Sequence, residues 1–311
     1  MTTEELQERI LKLKKEKKAV LLAHYYTRAE VQQVADFVGD SLQLARAAVG
    51  LEADIIVFAG VRFMGETAKV LSPDKKVLMP DLEAGCSLAD SCPADDFAMF
   101  VKDHPGHVVV SYVNTSVEVK ALTDIVCTSG NALEVVGSIP PSTPVIFGPD
   151  RNLGSYIKSK TGRDNMVLWD GACHVHEQFS LESVLALKKE HPAAKVLVHP
   201  ECKEQLVMVA DHVGSTASLL SYARTSDADE FIVVTEPGII FKMRQACPGK
   251  TFIPAPPSQS DCACNDCSYM KLVTLPKIID VMTNLSNEIT VPQDIAKAAL
   301  KPIQRMLELP V

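Results

Sequence analysis

The sequence has no apolar run approaching the roughly 18 residues that a membrane-spanning helix needs, so no membrane partner is predicted. It also lacks an excess of positive charge, since 31 Lys and Arg face 39 Asp and Glu and give a formal net charge of −8. Nucleic-acid affinity comes largely from cations that neutralise phosphates, and this balance therefore argues against a nucleic-acid partner. A small anionic substrate is compatible, because it needs only local positive potential and backbone N–H groups.

The first eighteen residues lack the features of a targeting segment. They contain several glutamates, which are wrong for a transit peptide, and no apolar stretch typical of a signal peptide. Thr2 and Glu5 have the spacing of a capping box, and Leu6, Ile10 and Leu13 fall on one helical face. We therefore expect an amphipathic opening helix and a cytoplasmic protein.

An internal repeat organises the chain, whose length fits two or three domains. Three apolar runs end on His24, Tyr112 and His199, which are 88 and 87 residues apart. Each run is followed by a small polar residue that opens a predicted helix, and we expect Ser41, Ser129 and Ser215–Thr216 to be N-caps. The predicted strands are Ala19–Ala23, Ile55–Ala59 and Val77–Met79, then Val108–Ser111, Val145–Phe147 and Met166–Trp169, and finally Lys195–Val198, Phe231–Val234 and Thr251–Ile253.

Strands that alternate with helices predict parallel sheets covered on both faces and joined by right-handed crossovers. The expected fold class is α/β, with three three-layer αβα domains related by a pseudo-threefold axis around a central site. The predicted division is 1–85 together with 268–311, then 86–172, then 173–267. Ligands of parallel sheets bind beyond the carboxyl ends of the strands, so three such edges are expected to share one site.

Each repeat carries a cysteine just beyond its last predicted strand. Cys86 and Cys173 are 87 residues apart, and Cys267 follows after 94 more, with a Pro-rich loop accounting for the longer spacing. A lone cysteine is usually a small buried hydrophobe, and distant cysteines are a weaker iron–sulfur signal than a local ligand run. Recurrence at equivalent strand ends nevertheless favours a shared metal site. Three thiolates can hold a cubane cluster and leave one iron without a protein ligand, free to act as a Lewis acid.

The other six cysteines have no counterpart in the repeat, and a disulfide framework is not expected in a reducing cytosol. Cys127, Cys202 and Cys247 are predicted to be buried thiols, whereas Cys92 lies near the expected site and is also unmatched. Three roles are open for Cys262 and Cys264: they are alternative metal ligands, they form a redox-active pair with Cys267, or they have no part in the site.

The polar residues at the strand and helix ends have two interpretations. The serine and threonine residues either only cap helices or form anion sites with the helix N-termini. His24 and His199 are either satisfied core histidines or functional groups, and their equivalent positions favour function. His176 lies three residues past Cys173 and is expected near the metal site.

Several long segments occur in order along the chain: "LLAHYYTRAEVQQVADFVGDSLQLARAA", "FAGVRFMGETAKVLSPDKKVLMPDLEAGCSLAD", "VSYVNTSVEVKALTDIVCTSGNA", "DGACHVHEQF", "LVHPEC", "GSTASLL" and "CACNDCSYMKLVTL". They closely resemble the quinolinate synthase family over nearly the whole chain. The resemblance implies three pseudosymmetric αβα domains around a [4Fe–4S] cluster with one open iron. It also implies a transferase that condenses iminoaspartate with dihydroxyacetone phosphate, releasing water and phosphate, to make quinolinate for NAD biosynthesis.

Site residues follow from the same resemblance, motif by motif. The implied cluster ligands are Cys86, Cys173 and Cys267, the last because it directly precedes "SYM". The implied substrate-binding residues are His24, Ser41, Tyr112, Asn114, Ser129, His199, Glu201 and Thr216. The implied catalytic residues are Glu201, Tyr26, His24, His199 and Tyr112, with Glu201 and Tyr26 as the proton-transfer candidates. A hand-off of iminoaspartate from an L-aspartate-oxidising enzyme is a further expectation.

Two other functions use the same residues. An aconitase-type hydro-lyase would use an open iron on a hydroxy acid but would not bind a triose phosphate. A non-enzymatic iron–sulfur sensor would not need hydroxyl, imidazole and phenol groups at the strand ends of all three repeats.

Overall fold

Buried strands and flanking helices alternate along the chain and build three parallel sheets of four strands each. The computed structural model describes residues 1–257 and 265–309, so Cys262 and Cys264 lie outside the described residues. The strand order is β2-β1-β3-β4 in the first sheet, and it recurs as β6-β5-β7-β8 and β10-β9-β11-β12. Every neighbouring pair within the sheets is parallel. The predicted α/β class is thereby confirmed.

The strands have the following bounds. The first sheet contains β1 (Ala19–His24), β2 (Phe37–Gly39), β3 (Ile55–Ala59) and β4 (Lys76–Leu78). The second contains β5 (Val108–Tyr112), β6 (Ile125–Cys127), β7 (Val145–Gly148) and β8 (Met166–Leu168). The third contains β9 (Lys195–Val198), β10 (His212–Val213), β11 (Glu230–Val234) and β12 (Thr251–Pro254).

The helices lie between and around these strands. The first repeat has α1 (Thr3–Lys17), α2 (Ala29–Val34), α3 (Ser41–Ala48) and α4 (Arg62–Leu71). The next segment has α5 (Ser87–Asp90), α6 (Ala94–Asp103), α7 (Val117–Ala121), α8 (Ala132–Gly137) and α9 (Arg151–Thr161). The third has α10 (His174–Glu177), α11 (Leu181–Glu190), α12 (Glu204–Val207), α13 (Thr216–Thr225) and α14 (Ile239–Ala246). The last has α15 (Ser268–Lys271), α16 (Leu275–Asn284) and α17 (Gln293–Glu308).

Both faces of each sheet are covered, which explains the continuous apolar runs of the central strands. In β1, Leu22 packs into one hydrophobic core, while Leu21 and Ala23 pack into another on the opposite face. In β9, Leu197 and Val198 likewise belong to different cores. This alternation follows from the two-residue period of a strand and produces the three-layer arrangement.

One contact recurs in all three repeats and confirms the internal repeat. An aspartate before the second strand of each sheet accepts a hydrogen bond at 2.8 Å from a backbone N–H in the first strand. Its own backbone N–H donates at 2.9 Å to the carbonyl of the same residue. The three pairs are Asp36 with Leu21, Asp124 with Val109, and Asp211 with Val196.

The structure corrects the predicted strand count and the predicted N-caps. Strands β2, β6 and β10 were missed because they are only two or three residues long and each directly follows a turn-forming aspartate. The N-cap of α3 is Asp40, whose carboxylate accepts from Gln43 in a capping box, so Ser41 is the first helical residue. Ser215, not Thr216, caps α13. Ser129 precedes Asn131, the N-cap of α8.

Both chain ends pack onto the sheets. Thr2 and Glu5 form the predicted capping box at the start of α1, which packs against α16. Helix α17 packs against α7 and β6 of the second sheet and against α4 of the first. It therefore joins two sheets, and the division into 1–85 with 268–311, 86–172 and 173–267 stays a prediction. Within the described ranges, no helix combines the length and apolar character of a membrane span.

The recurring aspartate contact predicts similar effects in the three repeats. Each of the substitutions Asp36→Ala, Asp124→Ala and Asp211→Ala removes one acceptor from a strand N–H and should lower the free energy of unfolding by about 1 kcal/mol. Asp36 and Asp211 also pair with Lys14 and Lys195, so these two variants should lose up to about 1 kcal/mol more. Urea unfolding followed by circular dichroism measures the change. The exposed Asp74→Ala is the matched control. Three widely different losses would contradict the structural equivalence of the repeats.

Candidate active site

One cavity lies at the carboxyl ends of the three sheets and is lined by all twelve predicted site residues. Each repeat contributes four of them, at equivalent places. They are His24, Tyr26, Ser41 and Cys86 from the first repeat, Tyr112, Asn114, Ser129 and Cys173 from the second, and His199, Glu201, Thr216 and Cys267 from the third. No Lys or Arg lines this cavity among the residues that the structure describes.

Two histidines are held in the same way at the ends of first strands. The Nδ1 atom of His24 accepts from the backbone N–H of Tyr26 at 3.2 Å. The Nδ1 atom of His199 accepts from the backbone N–H of Glu201 at 3.4 Å, and its Nε2 lies 3.2 Å from the hydroxyl of Ser129. Because burial disfavours the imidazolium form, the pKa of each histidine falls to about 3. Both rings are therefore neutral near pH 7 and can donate from Nε2.

Glu201 is an almost fully buried carboxylate with partners on both oxygens. Its Oε1 accepts from the hydroxyl of Tyr112 at 2.5 Å, and its Oε2 lies 2.8 Å from Nδ1 of His176. Burial alone would raise the pKa of Glu201, but His176, His199 and the Tyr112 hydrogen bond together hold that pKa below its usual range. Glu201 is therefore ionised, and burial together with the charge of Glu201 raises the pKa of Tyr112.

A buried hydrogen-bonded chain continues from Glu201 across the site. His176 contacts Glu201 through Nδ1 and the hydroxyl of Thr235 through Nε2, the latter at 2.9 Å. The Thr235 hydroxyl lies 2.7 Å from the hydroxyl of Tyr26. The chain therefore joins Tyr26, at the end of the first sheet, to Glu201 at the end of the third and to Tyr112 of the second. Such fully partnered networks hold their side chains in one arrangement.

The three cysteines occupy equivalent positions on the cavity wall. Cys86, Cys173 and Cys267 are the N-cap residues of the short helices α5, α10 and α15. Burial raises the pKa of Cys86 to about 12 and that of Cys267 to about 11, while helix N–H groups oppose the rise. Free thiols here would keep their protons, whereas binding to a metal displaces them. Three convergent thiols are the donor set of an iron–sulfur or zinc centre, and they fit a cluster.

A second metal-binding group overlaps the cysteines. Ligand atoms of Cys173, His176 and Glu201 all lie within 4.8 Å of one another and could hold a single ion. The unmatched thiols Cys127, Cys202 and Cys247 are buried outside the cavity wall, as predicted, and Cys92 is also buried. Of the seven cysteines that the structure describes, the three that recur in the repeats are therefore the ones that line the cavity.

A model of the quinolinate synthetase A protein family matches residues 8–308 of this chain. The chain belongs to this family. A quinolinate synthase of Nostoc sp. is 57% identical over 297 residues, which cover 96% of this chain and 91% of the relative. Those of Thermosynechococcus vestitus and Chloroherpeton thalassium are 57% and 55% identical over 96% and 98% of this chain, covering 93% and 94% of each relative.

Sequence reasoning missed several polar residues of the site. Asp40 lines the cavity and caps α3, and its spacing to Gln43 could have revealed the capping box. Thr235 and Glu236 directly follow β11, which is the same strand-end position that marked His24 and Tyr112. Burial raises the pKa of Glu236 to about 7, against the opposing charge of Lys271.

The hydrogen-bonded chain predicts a specific loss when its central hydroxyl is removed. Thr235→Val keeps the side-chain volume but leaves the Tyr26 hydroxyl and His176 Nε2 without their partner. The free energy of unfolding should fall by about 1–3 kcal/mol, the penalty for buried unpaired groups. Urea unfolding of protein freed of any bound metal measures it, with the exposed Thr225→Val as control. Equal stability of the two variants would mean that the chain does not hold the site together.

Proposed function

We propose that this chain is a quinolinate synthase that condenses iminoaspartate with dihydroxyacetone phosphate, releasing phosphate and water, as a step of NAD biosynthesis. The observation that carries the proposal is the convergence of four equivalent residues from each repeat on one cavity, in a member of this family. The reactants and products balance without oxidation or reduction, so the site has to bind anions, hold groups in place and move protons.

The proposed substrates bring two carboxylates and a phosphate into a cavity that has no Lys or Arg among its described lining residues. Positive potential comes instead from helix N-termini, because Ser41 and Thr216 are the first residues of α3 and α13. Hydroxyl and Nε2–H donors add directional hydrogen bonds. Asn114 supports this assignment, since its Oδ1 is buried without a protein partner and needs a ligand or water.

The proposed cofactor is a [4Fe–4S] cluster held by Cys86, Cys173 and Cys267. When bound, such a cluster supplies an iron that has no protein ligand and can act as a Lewis acid. The protein's part is to present three thiols at the N-termini of short helices, where backbone N–H groups stabilise sulfur in its charged form.

Forming the C–C bond, closing the imine and eliminating phosphate and water all require proton transfers. Glu201 is ionised and lies among Tyr112, His176 and His199, so it is the proposed base. Tyr26 and Tyr112 keep their protons because burial and the charge of Glu201 raise their pKa values, which suits them to donate hydrogen bonds to substrate oxygens. His24 and His199, being neutral, are proposed to bind substrate anions through Nε2–H.

The proposal also includes the expected location of the protein and the expected source of its substrate. A cytoplasmic location and a hand-off of iminoaspartate from an L-aspartate-oxidising enzyme both suit a short-lived imine substrate. They rest on the proposed reaction and not on a surface of the structure.

A direct assay tests the function. Protein purified without oxygen is given iminoaspartate and dihydroxyacetone phosphate, and the product pyridine-2,3-dicarboxylate is measured by chromatography. An aconitase-type hydro-lyase would form none and would instead hydrate or dehydrate a hydroxy acid. An iron–sulfur sensor would turn over neither substrate. Absence of product from cluster-loaded protein would refute the proposal.

The ligand assignment makes a second prediction. Cys86→Ser, Cys173→Ser and Cys267→Ser should each abolish cluster binding, since a cubane with two protein ligands is poorly held. Iron and sulfide analysis of anaerobically purified protein measures the loss. The buried Cys127→Ser and Cys247→Ser serve as controls and should retain iron. Full iron content in Cys267→Ser would overturn the assignment of the third ligand.

Glu201 makes a third prediction. Glu201→Gln keeps the shape of the side chain but removes its charge and basicity. Turnover should fall by about 10²-fold or more, the contribution of general acid–base catalysis, while the cluster absorbance is unchanged. The exposed Glu204→Gln, three residues along the chain, is the control. Wild-type turnover in Glu201→Gln would remove Glu201 from the mechanism.

A further inference from the structure

The first two cysteine loops are tied to their sheets by the same backbone hydrogen bond. In each, an N–H at the start of a helix donates to a carbonyl two residues before the cysteine. The bonds run from Arg62 to Ala84 at 2.7 Å and from Arg151 to Gly171 at 2.8 Å. They fix the short helices α5 and α10 relative to the neighbouring strands.

The third repeat cannot make this bond. Strand register aligns Ile56, Val145 and Phe231, which pair with equivalent residues of their first strands. Counting on from these positions, Pro237 stands where Arg62 and Arg151 stand. Proline has no backbone N–H to donate. The loop that carries Cys267 therefore needs another attachment.

Glu236 makes that attachment with its side chain. It is fully buried, and its Oε2 accepts from the backbone N–H of Gly238 at 2.7 Å. Its Oε1 accepts from the backbone N–H of Cys267 at 3.3 Å and pairs with the ammonium of Lys271 at 2.6 Å. One carboxylate thus bridges the end of β11 to both ends of α15. The equivalent positions in the other repeats are Val61 and Asp150.

The same ion pair reaches the first repeat. The ammonium of Lys271 also donates to the backbone carbonyl of Tyr26 at 2.8 Å. A Cβ at Gly238 would meet Glu236 Oε2 at 2.7 Å and the Cα of Tyr26 at 2.8 Å, so glycine is needed for this close approach. Cys267 and Tyr26 are therefore held by one buried pair of charges.

We propose that Glu236, acting with Lys271, is a positioning residue that holds Cys267 in place as a cluster ligand and Tyr26 in place for the reaction. The inference rests on the ligand and Tyr26 assignments of the proposed function. A buried pair is seldom a net gain in stability over apolar residues of the same size, whereas breaking it strands a charge. The role of the Glu236–Lys271 pair is therefore to fix the positions of Cys267 and Tyr26, which belong to different repeats.

The test compares Glu236→Gln, Lys271→Met and the double variant, each purified without oxygen. In the single variants, iron content should fall and the visible absorbance should bleach about 10-fold faster or more in air, the scale on which groups behind metal ligands act. In the double variant no charge is stranded, and bleaching should be no faster than in the worse single variant. Lys195→Met, which breaks a pair with Asp211 at 2.9 Å at the far end of β9, is the control.

Two further measurements separate positioning from general stability. The cluster-free single variants should melt below Lys195→Met, because each strands a buried charge. The cluster-free double variant strands none and should melt like Lys195→Met, yet it should still lose iron, and its kcat should fall more than its KM rises. The inference is overturned if the single variants bleach at the control rate. It is equally overturned if the cluster-free melting temperature of the double variant falls in step with its iron loss. Iron content and bleaching need no substrate, so they decide the inference even if the chain makes no quinolinate.

Discussion

The parallel direction of the strands is the constraint on which the site depends. In a parallel sheet all carboxyl ends lie at one edge, and each sheet here has only four strands and a short edge. A single edge presents one imidazole or phenol, one further polar group, one helix N-terminus and one cysteine. The four residues at any one sheet edge do not form a site by themselves. The cavity exists because three such edges face one another, which is why its three cysteines and its other polar side chains are so far apart in sequence.

The repeat then diverged at equivalent places. Tyr26, Asn114 and Glu201 occupy equivalent positions, each two residues past the residue that marks the end of a first strand. Their side chains are a phenol, an amide and a carboxylate. Only Glu201 is ionised, because His176 and Tyr112 stabilise its charge in a buried setting. The three repeats therefore share one backbone scaffold, and the chemical groups of the site differ because the side chains at equivalent positions differ. The same holds two residues past β3, β7 and β11, where Val61, Asp150 and Glu236 share a position and, of these three, only Glu236 pairs with a lysine.

Much of this organisation was predictable from sequence. Repeat spacing located nine of the twelve strands and the α/β class, because buried parallel strands leave continuous apolar runs and end at polar side chains. The full set of twelve predicted site residues came from the family resemblance. The second strand of each sheet along the chain was not predictable, since two or three residues such as His212–Val213 carry no period. Asp40 and Asn131 are caps in place of Ser41 and Ser129, and Ser215 rather than Thr216 caps α13, because choosing among nearby capping residues depends on backbone angles. Thr235 and Lys271 both form hydrogen bonds with Tyr26, which lies more than 200 residues earlier in the chain. No local sequence pattern encodes a contact at that separation.

The position of α17 has a consequence for biogenesis. This helix covers α7 and β6 in the middle of the sequence, and its Met306 carbonyl accepts a hydrogen bond at 3.0 Å from the amide of the buried Asn131, beside the cavity residue Ser129. During synthesis, the second sheet leaves the ribosome long before the helix that covers it. The cavity can be completed only after residues near 306 have emerged. Completion of the cavity therefore comes late in synthesis, and a ribosome-bound chain that does not yet include α17 would expose the apolar faces of α7 and β6.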